Sequence, residues 1–292
     1  MQRFIFVFAI FLFQINSHAQ AVLKYELEVG DMFTVSQTAA QTITQDVPGA
    51  KQVLTNDIRA TMTLEVLAST KGMITLEMRY VNFSLNMSSP QLGDLMSIDT
   101  ETNTGEEVQL KIFKSLLNAP LIIKMEPTGK LFEMEGVDAL LQQMAESSGD
   151  VDEATKQLMI DQLSKEWGPE QLSSSMEQML YNYTDQKVAV NDTWVTSFDG
   201  KLIAETTWKL SEQTITTNTI AGSATVSMNE QNAQATLKLN GNQGTVLKTD
   251  AKTGMISEMV ITQTMKGDTL VPQLPDTAIP TTMESKITYI VK

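Results

Sequence analysis

Few side chains in this sequence could do covalent or metal chemistry. Among 292 residues there is no cysteine and one histidine, His18, so thiol and imidazole nucleophiles, and zinc sites built from those ligands, lack their raw material. No Ser-x-x-Lys, Gly-x-Ser-x-Gly or phosphate-binding Gly-Lys-Ser/Thr run occurs. A pair of carboxylates could still hydrolyse a glycoside. Its sugar platforms would have to come from Trp167, Trp194 and Trp208, each of which falls where an apolar core face needs it. No enzymatic activity and no cofactor are expected. One metal motif remains: Asp99-Thr100-Glu101-Thr102-Asn103-Thr104-Gly105 places oxygens at every second residue, as a calcium loop would, with Asp99, Glu101 and Asn103 as ligands. Its glycine comes one place late for an EF-hand loop and the twelfth position is Leu110, so an acidic surface loop is the competing reading.

Charge narrows the partners. With 35 acidic against 21 basic side chains the net charge is −14. No basic stripe is available for phosphate backbones, and adhesion to anionic lipid is disfavoured. The 18 methionines are the oddest feature: Met62, Met78, Met87, Met228, Met259 and Met265 among them recur on faces that should be buried. Methionine fills irregular cores and also lines adaptable apolar binding sites.

The first residues read as an export signal. Arg3 is followed by the apolar run Phe4 to Phe13 and then by Ser17-His18-Ala19, with small residues where a signal peptidase reads. Cleavage is expected after Ala19, with Ala21 as the alternative. The run is too short to span a bilayer, and with no cysteine a lipid anchor is chemically excluded. The expected product is a bacterial periplasmic or secreted protein with no membrane span, lacking even His18.

The remaining 20–292 reads as one domain, α+β and predominantly antiparallel β: a curved sheet or open barrel carrying a helical middle. Two β halves, 20–105 and 188–292, flank a mixed helical segment, 106–187. In the first half Ile58, Ala60, Met62, Leu64 and Val66 alternate with polar residues, the period of a half-buried strand. A phase slip near Tyr80-Val81 predicts a bulge or a strand break. In the middle, Glu107 to Leu117 reads as a short helix, Pro127-Thr128-Gly129 as a hairpin turn, and Gly136 to Ala145 and Asp152 to Tyr183 as helices, the last broken at Gly168-Pro169. In the second half Asp199-Gly200, Asn240-Gly241 and Thr253-Gly254 predict turns between short strands, ending on Lys286 to Val291. Leu27 to Thr34 echoes Val188 to Val195: an alternating run, then Gly-Asp or Asn-Asp, then an aromatic opening a strand.

Several of these segments together, Tyr25-Glu26-Leu27-Glu28-Val29-Gly30-Asp31, Gln41-Thr42-Ile43-Thr44-Gln45, Glu126-Pro127-Thr128-Gly129-Lys130 and Val190-Asn191-Asp192-Thr193-Trp194, resemble an uncharacterised exported family, a domain of unknown function common in Bacteroidetes. Asn191 departs from the glycine usual there, and the family brings no catalytic residues to carry over. The architecture is more loosely similar to periplasmic lipoprotein carriers, which implies a sheet cupping an acyl chain under helical cover. The Bacteroidetes resemblance also implies O-glycosylation at Thr269 and Thr277, in Asp-Thr-Leu and Asp-Thr-Ala, within a stretch, Gly267 to Pro280, expected to be exposed loop. The function read from these features is an exported soluble binding protein that holds a lipid or other hydrophobic ligand between curved sheet and helices. The alternative is a non-catalytic structural or interaction protein of the cell envelope whose partner is an envelope protein or glycan.

Overall fold

A computed structural model describes residues 21–200, 202–231, 235–272 and 277–292; the cleavage site at Ala19 lies outside them. The first half contributes β1 (Ala21–Val22), β2 (Met32–Val47), β3 (Ala50–Ser69), β4 (Ile74–Ser89) and β5 (Gly93–Asp99). The middle holds α1 (Val108–Ser115), β6 (Leu121–Met125), β7 (Leu131–Glu135), α2 (Val137–Glu146), α3 (Glu153–Trp167), α4 (Pro169–Leu180) and β8 (Lys187–Val188). The second half runs through β9 (Thr193–Asp199), β10 (Leu202–Gln213), β11 (Thr217–Gln231), β12 (Thr236–Asp250), β13 (Ile256–Leu270) and β14 (Ala278–Val291). Twelve strands form one antiparallel sheet in the order β7-β6-β4-β3-β2-β14-β13-β12-β11-β10-β9, with β5 sharing the outer side of β4 with β6. The sheet is curved but not closed, as β7 and β9 end it unpaired to one another. The last strand, β14, joins the halves by pairing with β2.

Helix positions follow from capping and from which faces are apolar. Asp152 caps α3 by accepting the Thr155 N–H at 2.8 Å, and Gly168-Pro169 ends α3 and starts α4 in one step, with proline at the first turn where its missing N–H is harmless. Leu140, Leu141 and Met144 of α2 and Leu172, Met176, Met179 and Leu180 of α4 are buried against the concave face of the sheet. Each such side chain contributes roughly 1.5–3 kcal/mol. No residue of α3 is fully buried; its Ile160, Leu163 and Trp167 pack from outside, with the Trp167 ring edge-on to Phe83 at 5.3 Å and to Phe113 at 5.8 Å.

The phase slip is a bulge. Tyr80 pairs with Met62 and Asn82 with Thr61, so Val81 is the extra residue and β4 continues unbroken. The echoed segments build the same turn twice. Glu28 N–H donates to Asp31 Oδ2 at 2.9 Å, and Ala189 N–H to Asp192 Oδ2 at 2.8 Å. Gly30 and Asn191 occupy the left-handed region at φ 91° and 79°, and the turns hydrogen-bond onward to Val66 of β3 and Leu210 of β10. Asparagine is the residue that best replaces glycine there. We therefore expect Asn191→Gly to leave the denaturation midpoint nearly unchanged and Asn191→Val to cost about 1–2 kcal/mol; equal effects would show that the backbone at 191 is not constrained.

Three expectations are corrected. Asn240-Gly241 is not a turn but the middle of β12, because a Cβ at Gly241 would lie 2.0 Å from the Thr264 carbonyl oxygen. The glycine serves a close approach of β13. Likewise the short strands expected in the second half merge into longer ones, β11 running unbroken from Thr217 to Gln231. Most described residues of the stretch Gly267 to Pro280 are strand: β13 runs to Leu270 and β14 begins at Ala278, eight residues before the expected Lys286.

Three aspartates tie their carboxylates to turn or cap N–H groups. The Thr102 N–H holds the Asp99 carboxyl below the ordinary value, the Thr155 N–H does so for Asp152, and the Thr253 N–H for Asp250. Their stabilisation is complete above the unfolded carboxylate value, about 3.8, and is withdrawn as pH falls through the lower native values. Melting temperature should hold down to about pH 4 and drop below it. A triple Asp→Asn variant should lose much of that acid slope; an unchanged slope would place the acid sensitivity elsewhere.

Candidate functional site

The concave face carries a polar row that crosses the strands. In direct register Asn56 faces Gln41, Gln41 faces Ser285, Ser285 faces Gln263 and Gln263 faces Gln243. The row continues through Ala224 to Thr206 and Thr196. Polar groups turned into the interior need partners, and most of these half-buried or buried groups find one another, the Asn56 Oδ1 being left without one. Asn56 Nδ2 donates to Gln41 Oε1 at 3.0 Å, Ser285 Oγ to Gln263 Oε1 at 3.3 Å, and Gln263 Nε2 to Gln243 Oε1 at 3.3 Å. Gln41 Nε2 reaches the Met283 sulfur at 3.2 Å, and Trp208 Nε1 donates to Thr196 Oγ1 at 2.8 Å. Beside the row a cavity of about 30 Å³ lies under α4, near Thr206, Thr245 and Glu177, whose carboxyl is raised by burial.

This belt divides the apolar interior into two. On one side lies the helix-covered core, where Met78, Ile123, Leu140, Met144, Met176 and Met179 fill the space between sheet and helices. On the other, Ala204, Ala224, Val226, Leu239, Met265 and Met283 form a separate buried cluster that α4 reaches only at its Ala204–Phe198 edge, where Glu177 and Gln178 share the lining of the small cavity. Above it opens a cup of about 490 Å³, within the range of small-molecule sites. Ile43, Leu54 and Leu237 form its apolar wall; Gln45, Gln52, Ser89, Gln91, Glu230 and Thr269 stand at its rim. Leu92, from the β4–β5 turn, and Leu95, of β5, reach the mouth 74% and 46% exposed. The space expected between sheet and helices is thus packed with side chains, and the opening lies beyond the belt, where no described helix residue lines it.

The sequence candidates fall apart spatially. Asp99 Oδ1 accepts the Glu101 and Thr102 N–H groups at 2.9 and 3.1 Å, and the Asn103 carbonyl accepts from Lys114 Nζ at 2.8 Å, so the loop is folded on its own backbone with a cation beside it. Among the described residues no three His, Cys, Asp or Glu side chains are grouped to hold a metal. Thr269 is not in an exposed loop. It is buried in β13, accepting from Gln45 Nε2 at 2.9 Å and lying 2.8 Å from Thr281 Oγ1, at the cup's rim; Thr277 is half-buried just before β14. The belt went unread from sequence. Its only trace there is glutamine or asparagine in the inward phase of otherwise apolar alternation, at Gln41, Asn56, Gln243 and Gln263.

The model of a family of unknown function, DUF6263, matches residues 71–256, well over half of the chain. The chain belongs to that family. In this DUF6263 protein the match takes in the helices, β4 and the strands from β9 to β12, whereas β2, β3, β14 and all of β13 but Ile256, which complete the cup and the belt, lie outside it. No curated protein matches the sequence. Solved structures align along most of it, at low TM-score and identity. Lipovitellin, in a structure of lipid–protein interactions, covers 91% of the chain at TM-score 0.49 and 10% identity, and the chain spans a quarter (25%) of that protein. An outer membrane channel from Pseudomonas putida F1 gives TM-score 0.29 and 9% identity over 92% of this chain and 98% of that one. DynF from the dynemicin biosynthesis pathway of Micromonospora chersina gives 0.20 and 8% over 93% and 85%. Among the described residues no helix is long and apolar enough to cross a membrane, which does not bear on strands.

Proposed function

We propose that this DUF6263 protein is an exported, non-catalytic binding protein that holds an apolar small molecule in the cup beyond the glutamine belt. One observation carries the reading: a second apolar cluster, with Met265 and Met283 buried in it, floors a cavity of about 490 Å³ whose described lining contains no helix residue. A buried apolar cluster beside unfilled space gains by being covered, and methionine side chains adapt to the shape that covers it. Native mass spectrometry of protein purified without detergent, before and after solvent extraction, tests this. An adduct lost on extraction, together with binding of N-phenyl-1-naphthylamine to the extracted protein, is the expected result. A ligand-free mass and no binding of that reporter would sink the reading.

The second reading, an interaction protein of the cell envelope, draws on a polar groove of about 270 Å³ on the opposite face of the sheet, where Ser36, Thr38, Thr61, Asn82 and Ser84 surround Arg59. Hydroxyls, one guanidinium and the carboxylates of Asp99 and Glu101, which share the lining, suit a glycan or peptide. Pull-down from envelope extracts with wild type and Arg59→Ala separates it from the first.

A further inference from the structure

The polar belt has a break, and α4 lies over it. Between Gln243 of β12 and Thr206 of β10 the row passes through Ala224 of β11, and in the next inward row Gly222 separates Thr245 from Trp208. Strands two apart lie roughly 9–10 Å from one another, so these two small residues leave a hollow between larger ones. The Trp208 ring covers Gly222, where a Cβ would lie 2.5 Å from it. The rest is the cavity of about 30 Å³, roofed by Glu177 and Gln178 of α4. Thr245 lines this hollow from the sheet. It is 2% exposed, and its Oγ1 has no hydrogen-bond partner among the described residues.

We propose that the hollow is a binding site for a pair of water molecules that are constant parts of the fold. They bond Thr245 Oγ1, join it to Gln243, Thr206 and the Glu177 carboxyl, and so carry the belt across β11 and tie α4 to it. The inference does not depend on the cup. One water needs about 10–15 Å³ of free space, so the hollow holds about two. The chemistry of the lining selects them. An alkyl group would leave Thr245 buried and unbonded, which is costly. A cation would take lone pairs only, whereas hydroxyls also have protons to place. At Thr196, for example, Oγ1 accepts from Trp208 Nε1 at 2.8 Å, so its own proton is left to give. Glu177 Oε1 accepts the Leu131 N–H at 3.3 Å, and its second oxygen remains to accept. Water donates and accepts at once, and it bridges groups across a gap.

The test compares wild type with Thr245→Val, which keeps the shape and removes the hydroxyl. Oxygen-17 magnetic relaxation dispersion counts long-lived internal waters, and the variant is expected to lose about one. Its melting temperature should fall by about 2 °C. Thr264→Val, on the outer face of β13, should leave the count unchanged. A crystal structure of the wild type is expected to place two waters in the hollow, one within about 2.5–3.0 Å of Thr245 Oγ1. An unchanged count in Thr245→Val overturns the proposal. So does a raised melting temperature, the sign of a dry, unbonded hydroxyl relieved by valine. A cation refined in the hollow, or a melting temperature that moves when sodium is exchanged for potassium at constant ionic strength, overturns it equally.

Discussion

Replacing Gly129 with alanine is expected to destabilise the protein by about 3–5 kcal/mol and to lower its melting temperature by about 10 °C. Two effects add. Gly129 sits at φ 89°, where a side chain is strained, and a Cβ there would fall 1.8 Å from the Leu180 carbonyl oxygen. Backbone cannot yield as a flexible side chain can. The position is tight because three segments meet at it. The Tyr25 N–H donates to the Pro127 carbonyl, the Tyr25 hydroxyl to the Leu180 carbonyl at 3.0 Å, and the Tyr183 hydroxyl to the Gly254 carbonyl at 2.5 Å, with the two tyrosine rings edge-on at 5.1 Å. Burial raises both phenols, keeping them as neutral donors. Loss of this knot frees the N-terminal segment, the β6–β7 turn and the end of α4 together. Gly149→Ala is the control, since Gly149 has φ 112° with nothing within 4 Å of its missing Cβ. It should cost only about 1–2 kcal/mol; a Gly129 variant no worse than this would show that the close approach is not real.

Leu54→Trp is expected to weaken binding of the naphthylamine reporter by tenfold or more, about 1.4 kcal/mol, while moving the melting temperature little. Leu54 lies opposite Ile43 in register, on the wall of the cup, so an indole there occupies room meant for a ligand and does not displace packed neighbours. Asp57→Trp adds the same ring to the same strand on its outer, exposed face and should leave binding unchanged. Equal loss in both variants would mean that the reporter binds elsewhere, and no loss in either would remove the cup as its site.

What could be read beforehand was whatever resides in a short span of chain. The alternation through Ile58 to Val66, the slip at Tyr80-Val81, the break at Gly168-Pro169 and the turn at Pro127 to Gly129 are each set by a few adjacent residues, and each is found in place. Strand length was harder wherever a glycine stood for close packing instead of a turn, as at Gly222 against the Trp208 ring and Gly241 against β13. Pro280 concealed the first half of β14 in the same way, for it reads as loop yet pairs opposite Asp268. The candidate site was least legible. Gln41, Asn56, Gln243 and Gln263 become neighbours only through the pairing register of several strands, which no local period specifies. Thr269, singled out for an acceptor sequence around it, proved to be part of the rim.

The belt has a consequence for how the molecule comes apart. Strands run through both halves of the interior, but side-chain packing does not, so the glutamine row is a crease between two cooperative units of unequal strength. The half pinned by helices and by the tyrosine knot keeps the ladder in register. The other half, with fewer buried contacts, is the part that opens at lower free energy without global unfolding. Under the proposed binding role a guest would enter and leave by loosening one end of the sheet, and its presence should slow hydrogen exchange around Ile43, Leu54 and Leu237 more than around the helix-covered core.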